Sequence, residues 1–177
     1  MFALAFVCLA SLSAAQLADQ VVAARVLGPH WKQLSRSAGM VFSGTVIGVE
    51  TQPAGKDRPV PLILTKFRVD RAFAGVRPGQ VLTIREWAGA WSTHRAMHSG
   101  QRMLIFLYPP SRLGLTSPVG GPLGQVTLDS RGEIAHAVAL AINPRNARSP
   151  MRVAATQPII TLRQLERAIR SARKNEE

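Results

Sequence analysis

Residues 103–108 read MLIFLY, a continuous apolar run closed by Pro109-Pro110. A run this short and unbroken fits a strand buried on both faces. Its neighbours are also β-like. Met40 to Glu50, MVFSGTVIGVE, is rich in Val, Ile, Thr and Phe, and Gly44 and Gly48 within it predict bulges or sharp coiling. Leu62 to Asp70 alternates, with Ile63, Thr65, Phe67 and Val69 on one face and Lys66, Arg68 and Asp70 on the other. Val81 to Trp87 reads as a third strand after a turn at 75–80, and Gln125 to Asp129 as a fifth. Ser130-Arg131-Gly132 can turn into a short sixth strand around Ile134.

Helical signals flank this β region. Val21, Val22, Val26 and Leu27 recur at helical spacing until Gly28-Pro29 breaks the run, and Trp31, Leu34 and Ala38 form a second short turn. Thr161 with Gln164 predicts a capping box opening a C-terminal helix. Leu162, Leu165 and Ile169 are its apolar stripe, and Arg163, Arg167, Arg170, Arg173 and Lys174 occupy the rest. Residues 143–160 hold three prolines and read as a poorly ordered connector. The expected organisation is a helical approach segment at 16–38, a barrel at 39–142, a linker at 143–160 and a helix at 161–175.

Composition bounds the classes. Hydrophobic residues are 46% and charged ones 18%, a globular balance, and no apolar stretch reaches the ~18 residues of a spanning helix. A single cysteine excludes a disulfide framework within the chain and a Cys-rich zinc site. Phe2 to Leu12 is apolar, and Ser13-Ala14-Ala15 before Gln16 fits signal-peptidase cleavage between Ala15 and Gln16. Residues 1–15 are therefore expected to be a signal peptide that carries the only cysteine, Cys8, away with it.

Five strands with a coiled first strand predict an all-β chain with terminal helices, its strands closed into a five-stranded OB-like barrel, since closure removes edges. Three stretches sharpen this: MVFSGTVIGVE at 40–50, TKFRVDRAFAGVRPGQVLTIRE at 65–86 and GQRMLIFLY at 100–108. Their order resembles the netrin-like domains of the inhibitors of metalloproteinases and of exported bacterial proteins with that barrel. Phe73-Ala74-Gly75 matches the corner between two strands, and Gly100 to Phe106 matches the strand that follows. The resemblance covers about residues 40–130 and implies the fold. The inhibitors insert an N-terminal cysteine into a protease zinc site; Gln16 and a cysteine-free remainder do not carry that activity over.

Chemistry-bearing patterns are sparse. His94 and His98 are four apart but lack a third ligand nearby, and His30 and His136 stand alone, so no metal is expected. Gly120-Gly121-Pro122-Leu123-Gly124 is followed by neither Lys-Ser nor Lys-Thr, and no Gly-x-Ser-x-Gly elbow occurs. No paired carboxylate motif supports acid–base hydrolysis, and no cofactor is expected. Charge is the strongest remaining feature: 22 basic residues against 10 acidic ones give +12. The candidate binding residues are Lys66, Arg68, Arg85, Trp87 and Trp91, three cations beside two indoles. The competing use of Trp87 and Trp91 is to cap one end of the barrel and hold the 88–100 loop down.

The functional expectation is an exported, non-enzymatic envelope protein, periplasmic or extracellular, that binds a protein or an anionic polymer. An envelope hydrolase without a recognisable motif, or an OB-type nucleic-acid or polyanion binder, are the alternatives; export takes the chain away from most nucleic acid. The exported form is expected to begin at Gln16. N-terminal sequencing checks this, and an intact Met1 in a soluble cytoplasmic pool would contradict it.

Overall fold

The structure, a computed structural model, describes residues 16–56, 59–89, 97–129 and 161–174. Helix α1 spans 16–27 and α2 spans Trp31–Ser37, separated by Gly28 at positive φ and Pro29. Five strands follow: β1 Met40–Gln52, β2 Leu62–Ala74, β3 Val81–Trp87, β4 Arg102–Leu107 and β5 Gln125–Thr127. Helix α3, Leu162–Lys174, ends the described chain. The strands form one antiparallel sheet in the order β3-β2-β1-β4-β5.

Strand β4 is buried on both faces, as its apolar run predicts: every residue from Met103 to Leu107 is buried. Two cores result. Phe42, Val46, Phe67, Val69, Ile84, Met103, Ile105 and Leu107 meet on the inner, concave side, where the Phe42 and Phe67 rings pack edge to face at 5.6 Å. Val41, Leu104, Phe106 and Val126 point the other way and are covered by Trp31, Leu34, Leu165, Ile169 and their neighbours on the three helices. Phe67, Val69 and Ile84 are thus buried together, but Leu104 and Phe106 lie across the sheet from them, because alternate residues of β4 face opposite sides.

The β1–β2 ladder shifts register at Val41/Phe42, Ser43/Gly44 and Val46/Gly48. The expected irregularity around Gly44 and Gly48 is real. The shift at Ser43/Gly44 leaves Asp70 as an extra residue on β2, and another leaves Phe73. A one-residue slip turns the following side chains over. Ala72 accordingly packs toward the concave core, while Phe73 joins the helix-side core. At the corner, Gly75 has φ +71°, and a Cβ there would run into the Gly39 carbonyl oxygen.

Among the described residues the sheet does not close, which corrects the expected closed barrel. Strands β3 and β5 are its two edges. Strand β5 has three residues and reaches only Met103–Ile105 of β4. The space toward β3 is taken by the proline-bearing loop after β4. Val119 N–H donates to Phe106 O (2.8 Å) and Tyr108 N–H to Ser117 O (3.0 Å), so this loop runs beside β4. It reaches β3 through one backbone bond, Thr116 N–H to Arg85 O at 3.0 Å. Pro118 within it has no N–H to continue a ladder.

Charged contacts tie the helices to one another. The Arg167 guanidinium donates to both oxygens of buried Asp19, at 2.7 and 2.9 Å, joining α3 to α1. That hydrogen bond, and then the charge of Asp19, raises the Arg167 pKa above its ordinary value. Arg173 donates to the carbonyls of Ser35 and Ala38, both at 2.6 Å, while Arg36 donates back to Ala172 O at 3.1 Å. Each helix therefore supplies the cation that caps the C-terminal carbonyls of the other. The capping box forms by half. The Gln164 side chain accepts from Thr161 N–H at 3.0 Å, but the Thr161 hydroxyl donates to that same oxygen and caps no backbone group. The connector at 143–160 and the sixth strand around Ile134 lie outside the described residues.

Phe106 is fully buried under the helices, so Phe106→Ala is expected to lower stability by about 3–5 kcal/mol through the cavity it leaves. Chemical denaturation measures it; a loss below about 1 kcal/mol would contradict a central, two-sided β4.

Candidate binding face on the outer side of β2 and β3

The β2–β3 register decides which side chains share the outer face. Leu62 pairs with Trp87, Leu64 with Arg85, Lys66 with Thr83 and Arg68 with Val81. Directly paired residues point to the same side, and so do residues two apart along a strand. Ile84 and Glu86 are buried on the concave side with Thr65 and Phe67, so Trp87, Arg85, Lys66 and Arg68 all project outward, where each is exposed.

These four groups occupy successive rungs. Trp87 stands on the first, Arg85 on the second, Lys66 on the third and Arg68 on the fourth. With a rise of about 3.3 Å per residue, rungs on one face are about 6.7 Å apart and the row is about 20 Å long. The row ends at the β2–β3 turn, where residues 75–80 line an open concavity that holds Arg77. Trp91 lies outside the described residues, as does Ala15 of the expected cleavage bond; Gln16 is exposed on α1.

The cations differ in their surroundings. Lys66 and Arg85 enter no ion pair among the described residues. Arg68 Nε stands 3.8 Å from Asp70 Oδ1, a loose and exposed pair. Asp70, the extra residue of the bulge, also accepts from the Thr45 hydroxyl at 3.0 Å and faces Arg102 at 3.5 Å. It braces the row's far end across β1, β2 and β4. Glu50, paired with Leu64 on β1, is the nearest acidic residue in register with Arg85, two strands away. The edge beside Arg85 is framed by the loop that holds its carbonyl, and a Cβ on Gly114 of that loop would lie 3.5 Å from the Arg85 guanidinium.

Sequence reasoning found the four exposed groups through strand alternation. It missed Asp70 and Arg102 as the brace, because a bulge brings them together, and it missed Arg77 in the turn. Acid–base chemistry finds no cluster: among the described residues no three His, Cys, Asp or Glu side chains gather around one point. The described histidines are accounted for locally. His98 contacts Gln101 Oε1 through Nδ1 at 2.8 Å and through its backbone N–H at 3.2 Å, which shapes the turn before β4, and His30 precedes α2 on the surface. His94 and His136 lie outside the described residues. Among the described residues no helix is long and apolar enough to cross a membrane.

Comparison with known proteins returns no matching family model, no similar curated protein and no similar solved structure.

Proposed function

We propose that this chain is an exported, non-enzymatic protein that holds an anionic polymer of the bacterial envelope along the outer face of β2 and β3. One observation carries the reading. The register places Arg85, Lys66 and Arg68 on consecutive rungs of an exposed face, so that a linear polyanion would meet one cation about every 6.7 Å. Such a row suits a repeating ligand better than a compact one. The export reading rests on the apolar run at 2–12 with Ser13-Ala14-Ala15 behind it. The likeness to netrin-like domains belongs to the same proposal. Its support is the order of the strands and the Phe73-Ala74-Gly75 corner, where the close approach of Gly39 leaves no room for a side chain at 75.

The test is retention of the full chain on immobilised dextran sulfate. Lys66→Ala, Arg68→Ala and Arg85→Ala combined are expected to release the protein at clearly lower salt with an unchanged unfolding midpoint, since all three side chains are exposed. Glu50→Gln, which removes the acidic group in register with Arg85, is expected to raise the eluting salt. Arg163→Ala with Lys174→Ala removes two exposed cations from α3 as a control. Equal elution of the triple variant and the parent, or a larger loss in the α3 variant, would contradict the proposal.

A further inference from the structure

Charge explains three rungs of the row but not the first. Trp87 is 52% exposed, yet its ring rests against the chain. A Cβ built on Gly89 would fall closest to Trp87 Cζ2, with Cε2 and Cη2 at 2.6 and 2.7 Å. These are three consecutive atoms of the six-membered ring. A point above a ring's face is nearly equidistant from adjacent ring atoms, whereas a point off its rim is clearly farther from the two flanking ones. The indole therefore lies flat over Gly89, one face against the backbone and the other toward solvent. Only a residue without Cβ allows this placement. The result is an aromatic surface ordered before any ligand arrives, which lowers the entropic cost of using it.

We propose that the anionic polymer is a glycan of acidic sugars, one pyranose ring stacked on Trp87 and the carboxylates of following sugars on Arg85, Lys66 and Arg68. The inference rests on the polyanion reading above and narrows its ligand. A polyphosphate chain has no apolar face to lay on an indole. A pyranose has one, made of C–H groups, and an acidic sugar carries ring and carboxylate in the same repeat. The carboxylate suits the planar fork of Arg85, one rung along. A single-stranded nucleic acid is the less favoured occupant: proteins that hold it stack successive bases on several aromatic groups, and here one rung in four is aromatic. Gly89 becomes a positioning residue, since it fixes the plane of the ring without touching the ligand.

Calorimetric titration of the full chain with oligogalacturonate, polyphosphate and an oligo-dT of similar length tests this. Trp87→Ala and Gly89→Ala are each expected to weaken oligogalacturonate about tenfold, leave polyphosphate unchanged and leave the unfolding midpoint near that of the parent. Trp87→Phe, which retains an aromatic face, is expected to recover most of the binding. Lys66→Ala with Arg68→Ala is expected to weaken both polyanions. If that charge variant weakens both while Trp87→Ala and Gly89→Ala change neither, the glycan inference fails and the polyanion reading stands. If the charge variant changes neither, or the parent binds no polyanion, both fail. Oligo-dT bound more tightly than oligogalacturonate and weakened by Trp87→Ala would overturn the glycan in favour of a nucleic acid.

Discussion

Strand β4 has to be covered on both faces, and the arrangement of the other elements follows from how that is done. Met103, Ile105 and Leu107 need one cover; Leu104 and Phe106 need another. The sheet supplies the first by curling, so that β2 and β3 bring Phe67, Val69 and Ile84 over the concave side. Curling requires local changes of register, and the β1–β2 ladder has three. The helices supply the second cover. They are tied together by Arg167 to Asp19 and by the mutual capping through Arg36 and Arg173, so the charged ends of α2 and α3 help to place their apolar stripes. Among the described residues, the stretch of the outer side of β2 and β3 that carries Lys66, Arg68, Arg85 and Trp87 stays exposed.

Much of this was legible in the residues. Strand alternation located β3 to the residue, and the uninterrupted run identified β4 as two-sided, because both signals depend only on which side each residue buries. The outward set Lys66, Arg68, Arg85 and Trp87 came from the same alternation. The closed barrel did not survive, because the number of strands says nothing about which edges meet. That depends on the length of β5 and on a loop whose prolines prevent a ladder. Strand β2 runs to Ala74, past the expected Asp70, since pairing with β1 holds it beyond the point where its alternation breaks. Asp70 itself looked like one more outward polar residue. Its role as a brace comes from the bulge, and the bulge comes from cross-strand register.

The row also shows how one structural device serves two ends. The slip at Ser43/Gly44 turns Phe73 into the helix-side core and leaves Asp70 free to accept from Thr45 and to face Arg68 and Arg102. Packing against the helices and charge organisation farther along the same face of the sheet thus share a cause. At the opposite end of the row, Gly89 sets the plane of Trp87 by the absence of a Cβ. A surface of flexible side chains is in this way held at both ends, by a bulge and by a glycine.

The most direct test of the account is a map of where an anionic oligomer lands on the folded chain. Backbone amide shifts followed by NMR during titration with a short sulfated dextran would give it. The account predicts that the shifts concentrate in Leu62–Arg68 and Val81–Trp87, with those of α2 and α3 unmoved. Shifts concentrated in Trp31–Ser37 and Leu162–Lys174, with β2 and β3 unmoved, would place the binding on the helix layer and contradict it.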